Sequence, residues 1–443
     1  MGINRHVAKS TFVSALGGLL FGFDTAVIAG TTHQLAEVYH LSPSLLGLTV
    51  SSALWGTVAG AMTAGYPGQR IGRRDSLRIM AVFYVLSALG CAFALSWPSL
   101  LIFRIIGGLG IGGSSVLAPM YIAELSPPAW RGRLVGFFQV NIVVGILLAY
   151  LSNFVIGRMN FGSAEWRWML GIAALPALLF LVMLFFIPRS PRWLAMQGRT
   201  TEALAVLRLT GIEDPERELD EIVRSIHLER AAAGEPLFQK KYLLPIFLAM
   251  TAGAFNQLTG INACLYYLND IFTAAGASKY SAGMQSVIIG CTNLLFTLVA
   301  MTLIDKLGRK KLLLTGTSGV CIFLIVIGLI FRSGTHGEWL VWLLIGFMGC
   351  FAISQGAVIW VYLSEVFPTR VRAKGQAVGT SALWIMNALI SAVFPVLAAR
   401  SSATPFFFFG AMMFLDVLLI ATVYPDTTGV SLELLQQKLG VAD

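Results

Sequence analysis

Long apolar stretches recur along the whole chain, and short polar stretches separate them. Each apolar stretch approaches the ~20 residues that a helix needs to cross ~30 Å of hydrocarbon. A membrane β-barrel would instead show segments of about ten residues with alternating hydrophobicity. The pattern therefore predicts twelve transmembrane helices, at about 11–30, 45–66, 77–96, 99–122, 134–156, 167–187, 243–270, 282–304, 312–331, 338–364, 375–397 and 405–424.

One polar segment, residues 188–241, interrupts this rhythm and divides the spans into two groups of six. Its sequences EALAVLRL and ERELDEIVRSIHLER have helical periodicity, which predicts short amphipathic helices at the inner membrane face. We therefore predict an N-terminal six-helix bundle over 1–187 and a cytoplasmic helical linker over 188–241. A C-terminal six-helix bundle over 242–425 and a cytoplasmic tail over 426–443 would follow.

Composition and charge agree with an integral membrane protein. The chain is 56% hydrophobic and only 12% charged, a balance that soluble domains of this size do not have. The net charge is +9, and most of the Lys and Arg residues fall in segments on one predicted side, which the positive-inside rule makes cytoplasmic. Both termini are then cytoplasmic. Because the basic residues lie at helix ends rather than in one stripe, nucleic-acid binding is not expected.

The residues that catalysis or metal binding would need are poorly placed. All five cysteines fall in predicted spans without metal-ligand spacing, so we interpret them as packing residues. All five histidines fall in predicted loops, and no outer loop is long enough for a catalytic domain. A membrane enzyme is therefore disfavoured, and we expect no metal and no cofactor. A nutrient sensor is disfavoured as well, since only a short tail follows the last span.

The first span carries an acid, Asp24, in the middle of the sequence LGGLLFGFDTAVIAG. A carboxylate near the bilayer midplane costs roughly 2.5–3.5 kcal/mol on insertion scales, so such a residue is expected to handle protons or ions. Arg104 in the fourth span has the opposite charge, and pairing would offset the desolvation of both groups. Protonation of Asp24 would then release Arg104, although a permanent structural ion pair is the alternative.

Charged cytoplasmic motifs occur in duplicate at equivalent helix ends. A glutamate precedes an arginine by seven residues in each half, and a basic cluster follows the second and the eighth spans. Read singly, each charge could be a solvated helix-end anchor. Together they predict a duplicated transporter with cytoplasmic salt bridges that form and break as a gate. The residues concerned are Arg73, Glu124, Arg131, Arg309, Glu365 and Arg372.

With these motifs the chain resembles the sugar porter family of the major facilitator superfamily, which includes bacterial glucose–proton and xylose–proton symporters and animal glucose facilitators. The resemblance covers nearly the whole chain. It is carried by GLLFGFDTAVIAG (18–30), GRRDSLRI (72–79), RIIGGLGIGG (104–113), PMYIAELSPPAWRGRL (119–134), WRWM (166–169), SPRWL (190–194), NQLTGINACLYY (256–267), IDKLGRKKLL (304–313) and WVYLSEVFPTRVR (360–372). It implies an all-α integral membrane protein with twelve transmembrane helices in two six-helix bundles and a short cytoplasmic helical linker domain.

The resemblance also implies a sugar site. Sugar hydroxyls need amide or hydroxyl partners and the C–H face of a sugar favours an indole, so intramembrane Asn, Gln and Trp are the candidates. Each alone could instead be helix–helix packing or an interfacial anchor. A helix break at Gly260 would expose backbone there. By the match to the family, the predicted substrate-binding residues are Gln139, Asn256, Gln257, Asn262, Asn293, Trp360, Trp384 and Asn387, with Tyr266 as an outer gate and Gly356 leaving room for the ring.

The chain departs from the family pattern at several positions. Gln69 stands where the family usually has Asp, and Arg189 stands where it has an acid. We expect these changes to weaken the inner gate, and Arg189→Glu to favour the outward-facing state. Leu383 replaces a residue that is often polar and could alter specificity. For Asp416 in the twelfth span we expect a peripheral position with access to water or headgroups rather than a second proton site.

The sequence thus predicts a proton-coupled monosaccharide symporter of the cell inner membrane that works by alternating access as a monomer. Its expected partners are a sugar, a proton and the lipid bilayer. A hexose, D-glucose, is the expected substrate, with xylose or galactose as alternatives. An uncoupled facilitator of the same fold is the competing interpretation. Asp24 favours symport, because the animal facilitators carry a neutral residue at this position.

Overall fold

The computed structural model describes residues 4–232, 235–368 and 370–426. The predicted tail over 426–443 lies outside the described residues except for its first residue. In the described ranges all regular secondary structure is helical.

The α-helices are α1 (Arg5–Val27), α2 (Thr32–Val38), α3 (Pro43–Thr63), α4 (Gly65–Arg70), α5 (Arg73–Ala92), α6 (Trp97–Leu125), α7 (Arg131–Arg158), α8 (Glu165–Gly171), α9 (Ala174–Met183), α10 (Pro191–Met196), α11 (Thr200–Leu209), α12 (Pro215–Ala232), α13 (Leu243–Leu258), α14 (Ile261–Tyr266), α15 (Leu268–Ala274), α16 (Lys279–Leu307), α17 (Arg309–Ser333), α18 (Leu340–Ile353), α19 (Gln355–Glu365), α20 (Arg372–Arg400) and α21 (Thr404–Thr422). Short 3-10 turns occupy Ile28–Gly30, Gly162–Ala164, Leu184–Phe186, Lys240–Tyr242 and Gly337–Trp339.

The twelve predicted spans are confirmed. Twelve stretches of the described chain are long and apolar enough to cross a membrane, and each overlaps one predicted span. Several differ at their ends, such as the first, which occupies Arg5–Gly30 rather than 11–30. The two helices predicted from the periodicity of residues 188–241 are also present: EALAVLRL lies in α11 and ERELDEIVRSIHLER in α12. The motif SPRWL forms a further short helix, α10, that periodicity did not reveal.

The seventh and the tenth spans are interrupted within the apolar region. The seventh breaks at the predicted position, where Gly260 has φ +76° between α13 and α14. A Cβ at Gly260 would overlap the ring of Phe409, so both the backbone conformation and the packing require glycine. The tenth span breaks at Ser354, between α18 and α19. Each break places polar residues at a helix end inside an otherwise apolar segment.

The described residues form two compact units. The first comprises those within 1–25, 55–149 and 167–234, and its apolar core includes Leu77, Leu117, Tyr121, Phe138 and Phe180. The second comprises those within 26–54, 150–166 and 235–443, and its core includes Leu248, Val358, Leu363, Phe367 and Ile420. The second unit therefore contains two segments from the first half of the sequence. The predicted domain boundaries at 187/188, 241/242 and 425/426 stay a prediction.

Glycine in the first span permits close helix packing. A Cβ at Gly22 on α1 would overlap the backbone carbonyl of Ile142 on α7. A Cβ at Gly145 on α7 would in turn overlap the carbonyl of Leu19 on α1. The two backbones therefore approach within a distance that only glycine allows. This contact fixes the position of the helix that carries Asp24.

Candidate functional site

A chain of side-chain amides follows the break in the seventh span, within the second unit. The Nε2 of Gln257 donates to the Oδ1 of Asn256 at 2.9 Å, and the Nδ2 of Asn262 donates to the Oε1 of Gln257 at 2.8 Å. Asn256 and Gln257 are each 4% exposed. The sequence predicted all three residues as sugar contacts. The structure brings them together because the turn at Gly260 sets Asn262 at the start of α14, beside the end of α13.

The amide chain is anchored to the break in the tenth span. The Nδ2 of Asn256 donates to the main-chain carbonyl of Gln355, the first residue of α19, at 3.1 Å. The side chain of Gln355 points elsewhere: its Nε2 donates to the Oγ1 of Thr317 at 3.1 Å and to the Oδ2 of Asp416 at 2.7 Å. Sequence reasoning missed Gln355, although an intramembrane glutamine next to the predicted site residue Gly356 was a usable signal.

The expectation for Asp416 is wrong. The residue was expected at a peripheral position open to water or headgroups, but it is 1% exposed and lies within the second unit. The reason is that α21 turns this face toward α17 and α19, where Thr317 and Gln355 supply polar contacts. An isolated acid in an apolar helix carries no periodic signal of which face is buried.

The other predicted sugar contacts of the second unit occupy several helices. The Nδ2 of Asn387 on α20 donates to the hydroxyl of Tyr266 at 3.2 Å, and both residues are buried. Trp384 is buried on the same helix, and Asn293 is buried on α16. Trp360 on α19 is 44% exposed, so part of its indole is open to a ligand. A Cβ at Gly356 would lie 3.2 Å from the Phe351 ring, which is tight but not an overlap.

The predicted substrate-binding residue Gln139 and the predicted proton-coupling residues Asp24 and Arg104 belong to the first unit. Gln139 is half-buried on α7. Asp24 and Arg104 line one small cavity together with Tyr84, Ser87 and Cys91. The described residues include no direct ion pair between Asp24 and Arg104, and the buried Nε of Arg104 has no hydrogen-bond partner among them. A permanent contact ion pair, the alternative left open by the sequence, is therefore absent from this state.

The duplicated charged motifs form two ion pairs, one in each half of the sequence. The Nη2 of Arg73 lies 2.8 Å from the Oε1 of Glu124, and both side chains are nearly buried, at 6% and 7% exposure. The Nη2 of Arg309 lies 3.3 Å from the Oε1 of Glu365, and both side chains are 21% exposed. The pairs are thus equivalent in sequence but not in burial.

The other two residues of the predicted gate, Arg131 and Arg372, have different contacts from these ion pairs. Arg131 is exposed, and the described residues include no ion pair to it. The Nε of Arg372 makes a long contact, 3.4 Å, to the carbonyl of Phe367.

The departures from the family pattern have local partners. The Nη2 of Arg189 lies 3.0 Å from the Oδ2 of Asp75, which also contacts Arg74 and Arg78. The base at position 189 therefore does not leave an unpaired charge. At Gln69 the main-chain carbonyl accepts a 2.8 Å hydrogen bond from the Nε1 of Trp193 in the linker. This contact uses no side-chain atom of Gln69.

A second group of contacts lies at the predicted outer ends of the spans and was missed by sequence reasoning. The Nζ of Lys279 lies 2.8 Å from the Oε1 of Glu165, whose side chain is only 3% exposed. The hydroxyl of Tyr150 donates to the carbonyl of Leu265 at 2.8 Å. Within the second unit these contacts tie residues of the first half of the sequence to residues of the second half.

An acid in the same region also has a perturbed pKa. Burial raises the pKa of Asp270 on α15 to about 6, while a hydrogen bond from Thr32 and the charge of His33 oppose the shift. Asp270 lies beyond the end of the seventh span, between α14 and α16.

Comparison with known proteins identifies the family. The family model described as "Sugar (and other) transporter" matches residues 10–439. The chain belongs to this sugar transporter family. It is 37% identical to the arabinose-proton symporter of Bacillus subtilis over 95% of this chain and 92% of the relative. It is 37% identical to the D-xylose-proton symporter of Escherichia coli over 98% of this chain and 96% of the relative.

A glucose transport protein of Synechocystis is 36% identical over 97% of both chains. Among solved structures, an inward-open conformation of the E. coli xylose transporter superposes with a TM-score of 0.88 at 35% identity, over 98% of this chain and 99% of that one. The sugar transporter described here is therefore a multi-pass membrane protein with the twelve-helix major facilitator fold, and not an enzyme. The arabinose and xylose relatives are named as proton symporters.

Proposed function

We propose that this chain is a proton-coupled monosaccharide symporter that works by alternating access, with D-glucose as its substrate. Xylose, arabinose and galactose are the competing substrates. The proposed location is the cell inner membrane with both termini in the cytoplasm, and the proposed functional unit is a monomer. An uncoupled facilitator is the alternative that the experiments below can detect.

The observation that carries the proposal is the amide chain of Asn256, Gln257 and Asn262. Three neighbouring amides inside an apolar segment supply the donors and acceptors that sugar hydroxyls need. Each of the three amides donates one hydrogen bond to a neighbouring protein oxygen. One N–H of each amide and the Oδ1 of Asn262 are left for a ligand. The partly exposed indole of Trp360 offers an apolar face for the C–H groups of a sugar.

We assign proton coupling to Asp24 with Arg104 as its counter-charge. The two residues line one cavity, and the charge of Arg104 acts on Asp24. A carboxyl that is within reach of a cation but not in direct contact can exchange its proton without first breaking an ion pair. A proton driven by 100 mV carries ~2.3 kcal/mol, which corresponds to roughly 50-fold accumulation of a co-transported sugar.

The first experiment is uptake of radiolabelled glucose into proteoliposomes, with and without an inward proton gradient. We expect accumulation above equilibrium that a protonophore abolishes, and stronger competition by glucose than by xylose, arabinose or galactose. Equilibration without accumulation would make the protein a facilitator. A stronger competitor among the other sugars would replace glucose as the substrate.

The coupling assignment has its own test. Asp24→Asn should abolish concentrative uptake and retain sugar exchange between two equilibrated compartments, because the neutral amide mimics a permanently protonated carboxyl. Accumulation of sugar against its gradient by this variant would contradict the role of Asp24.

A further inference from the structure

Asp416 and Gln355 form a buried polar pair that the proposed transport mechanism does not use. They lie on α21 and α19, are 1% and 3% exposed, and are joined by a 2.7 Å hydrogen bond. Thr317 on α17 accepts a second hydrogen bond from the same amide nitrogen. Both N–H groups of the Gln355 side-chain amide are therefore directed toward α17 and α21, away from the predicted sugar-binding residues.

The pair is connected to the amide chain through the backbone. Gln355 is the first residue of α19, directly after the break at Ser354, and its main-chain carbonyl accepts the hydrogen bond from the Nδ2 of Asn256. A residue next to a helix break has fewer backbone constraints than one inside a helix. The side-chain anchor to α17 and α21 therefore fixes where this carbonyl lies.

The position of the Gln355 main-chain carbonyl determines the orientation of the three side-chain amides of Asn256, Gln257 and Asn262. A carbonyl can only accept, so the amide nitrogen of Asn256 must face it. The oxygen of Asn256 then faces Gln257 and accepts from its nitrogen, and the oxygen of Gln257 accepts from Asn262. The Oδ1 of Asn262 is left at the end as an acceptor for a sugar hydroxyl. Reversal of one amide would leave two donors or two acceptors facing each other, which is unfavourable in a buried site.

Asp416 accepts the hydrogen bond from Gln355 and has no cationic partner among the described residues. Its Oδ2 accepts from Gln355, its Oδ1 has no hydrogen-bond partner there, and the ionisable group that interacts with it is the Tyr424 hydroxyl. Lys310 on α17 donates instead to the main-chain carbonyls of Ala421 and Tyr424. What the site requires of Asp416 is thus an acceptor oxygen at the position of Oδ2, which asparagine can also supply.

We propose that Asp416 is a positioning residue for sugar binding, acting through Gln355 on the amide orientation of Asn256, Gln257 and Asn262. This inference rests on the proposed sugar site. It assigns to the twelfth span, which contributes none of the predicted sugar contacts, an influence on sugar affinity and on the choice among sugars that differ in one hydroxyl.

The test compares purified variants by equilibrium sugar binding in detergent and by transport in proteoliposomes. Asp416→Leu and Gln355→Leu should each raise the Kd and the KM for sugar about tenfold or more, with kcat changed less than about twofold. Asp416→Asn should keep both constants within about threefold of wild type. The double variant should be no worse than either single one, because both remove the same anchor.

A matched control separates positioning from general loosening of the helix packing. Cys321 lies on α17, and its Sγ contacts the carbonyl of Gly410 on α21 at 3.3 Å, outside the polar network. Cys321→Ala should leave Kd and KM unchanged. Thermal unfolding of every variant, with sugar absent, checks that the proteins compared are folded.

The outcomes are distinguishable from failure of the proposed function. If the wild-type protein neither binds nor transports any of the four sugars, the proposed function fails. If wild type binds sugar and Asp416→Leu binds it equally well, the positioning role is overturned while the function stands. Equal losses in Asp416→Asn and Asp416→Leu, or additive losses in the double variant, would also overturn it. If Asp416→Leu does not fold, Gln355→Leu and Asp416→Asn decide the question.

Discussion

The ion pair of Arg73 and Glu124 should contribute far more to stability than its sequence equivalent, Arg309 and Glu365. In the first pair both side chains are nearly buried, at 6% and 7% exposure. Arg73 also donates to the carbonyl of Gly68 at 2.8 Å, and the other carboxylate oxygen of Glu124 accepts from the Ser190 hydroxyl. The perturbation is Arg73→Ala. It leaves the Glu124 carboxylate buried, with the hydrogen bond from the Ser190 hydroxyl in place but without its cation.

Removing one partner of a buried pair typically costs about 3–5 kcal/mol, because the remaining charge is uncompensated. We therefore expect Arg73→Ala to lower the free energy of unfolding by about 3–5 kcal/mol. Arg309→Ala is the matched control. Its pair is longer, at 3.3 Å, and each side chain is 21% exposed, so water compensates part of the loss and we expect about 1 kcal/mol.

The assay is reversible unfolding in mixed detergent micelles, with a double-mutant cycle on each pair. The Arg73→Ala and Glu124→Gln cycle should give a coupling energy above about 1.5 kcal/mol, and the Arg309→Ala and Glu365→Gln cycle one near or below about 0.5 kcal/mol. Equal coupling energies at the two sites would refute the reasoning, because the structure distinguishes the pairs by burial and by distance.

Three further predictions concern other parts of the molecule. Because folding raises the pKa of Asp270 from 3.8 to about 6, this residue's contribution to stability is greatest below its unfolded pKa and falls as the pH rises toward 6. The stabilisation by Asp270→Asn should therefore grow from pH 4 upward and approach about 3 kcal/mol above pH 7, and a gain independent of pH would contradict the burial of the acid. Gly22→Ala should lower the thermal unfolding midpoint because its Cβ would overlap the backbone of α7, whereas Gly65→Ala, with open space around the site, should leave it unchanged. Arg189→Glu should destabilise the protein by placing an acid beside Asp75, 3.0 Å away in the native pair, and Arg189→Gln, which adds no acid, should destabilise it less; equal losses would show that the two acids do not interact in solution.

The sequence by itself determined the elements and much of the candidate site. Twelve spans follow from the hydrocarbon thickness, since each needs about 20 apolar residues, and that requirement does not depend on how the helices pack. The break in the seventh span follows from Gly260, because only glycine readily adopts its positive φ. The glutamates of the two ion pairs, Glu124 and Glu365, were visible as a duplicated spacing, whereas the structure identified Arg73 and Arg309 as their partners. The amides of the seventh helix were predicted from the match of NQLTGINACLYY (256–267) to the family motif.

Only the tertiary structure decided which polar groups meet across the fold. Gln355 and Asp416 are 61 positions apart, and Glu165 and Lys279 are 114 apart, so no periodicity links them. Asp24 and Arg104 were expected to pair by charge alone, yet they share a cavity without direct contact. The physical reason is the same in each case. In a helix that is apolar all round, the hydrophobic pattern cannot say which face is buried, and packing alone gives a lone polar residue its partner.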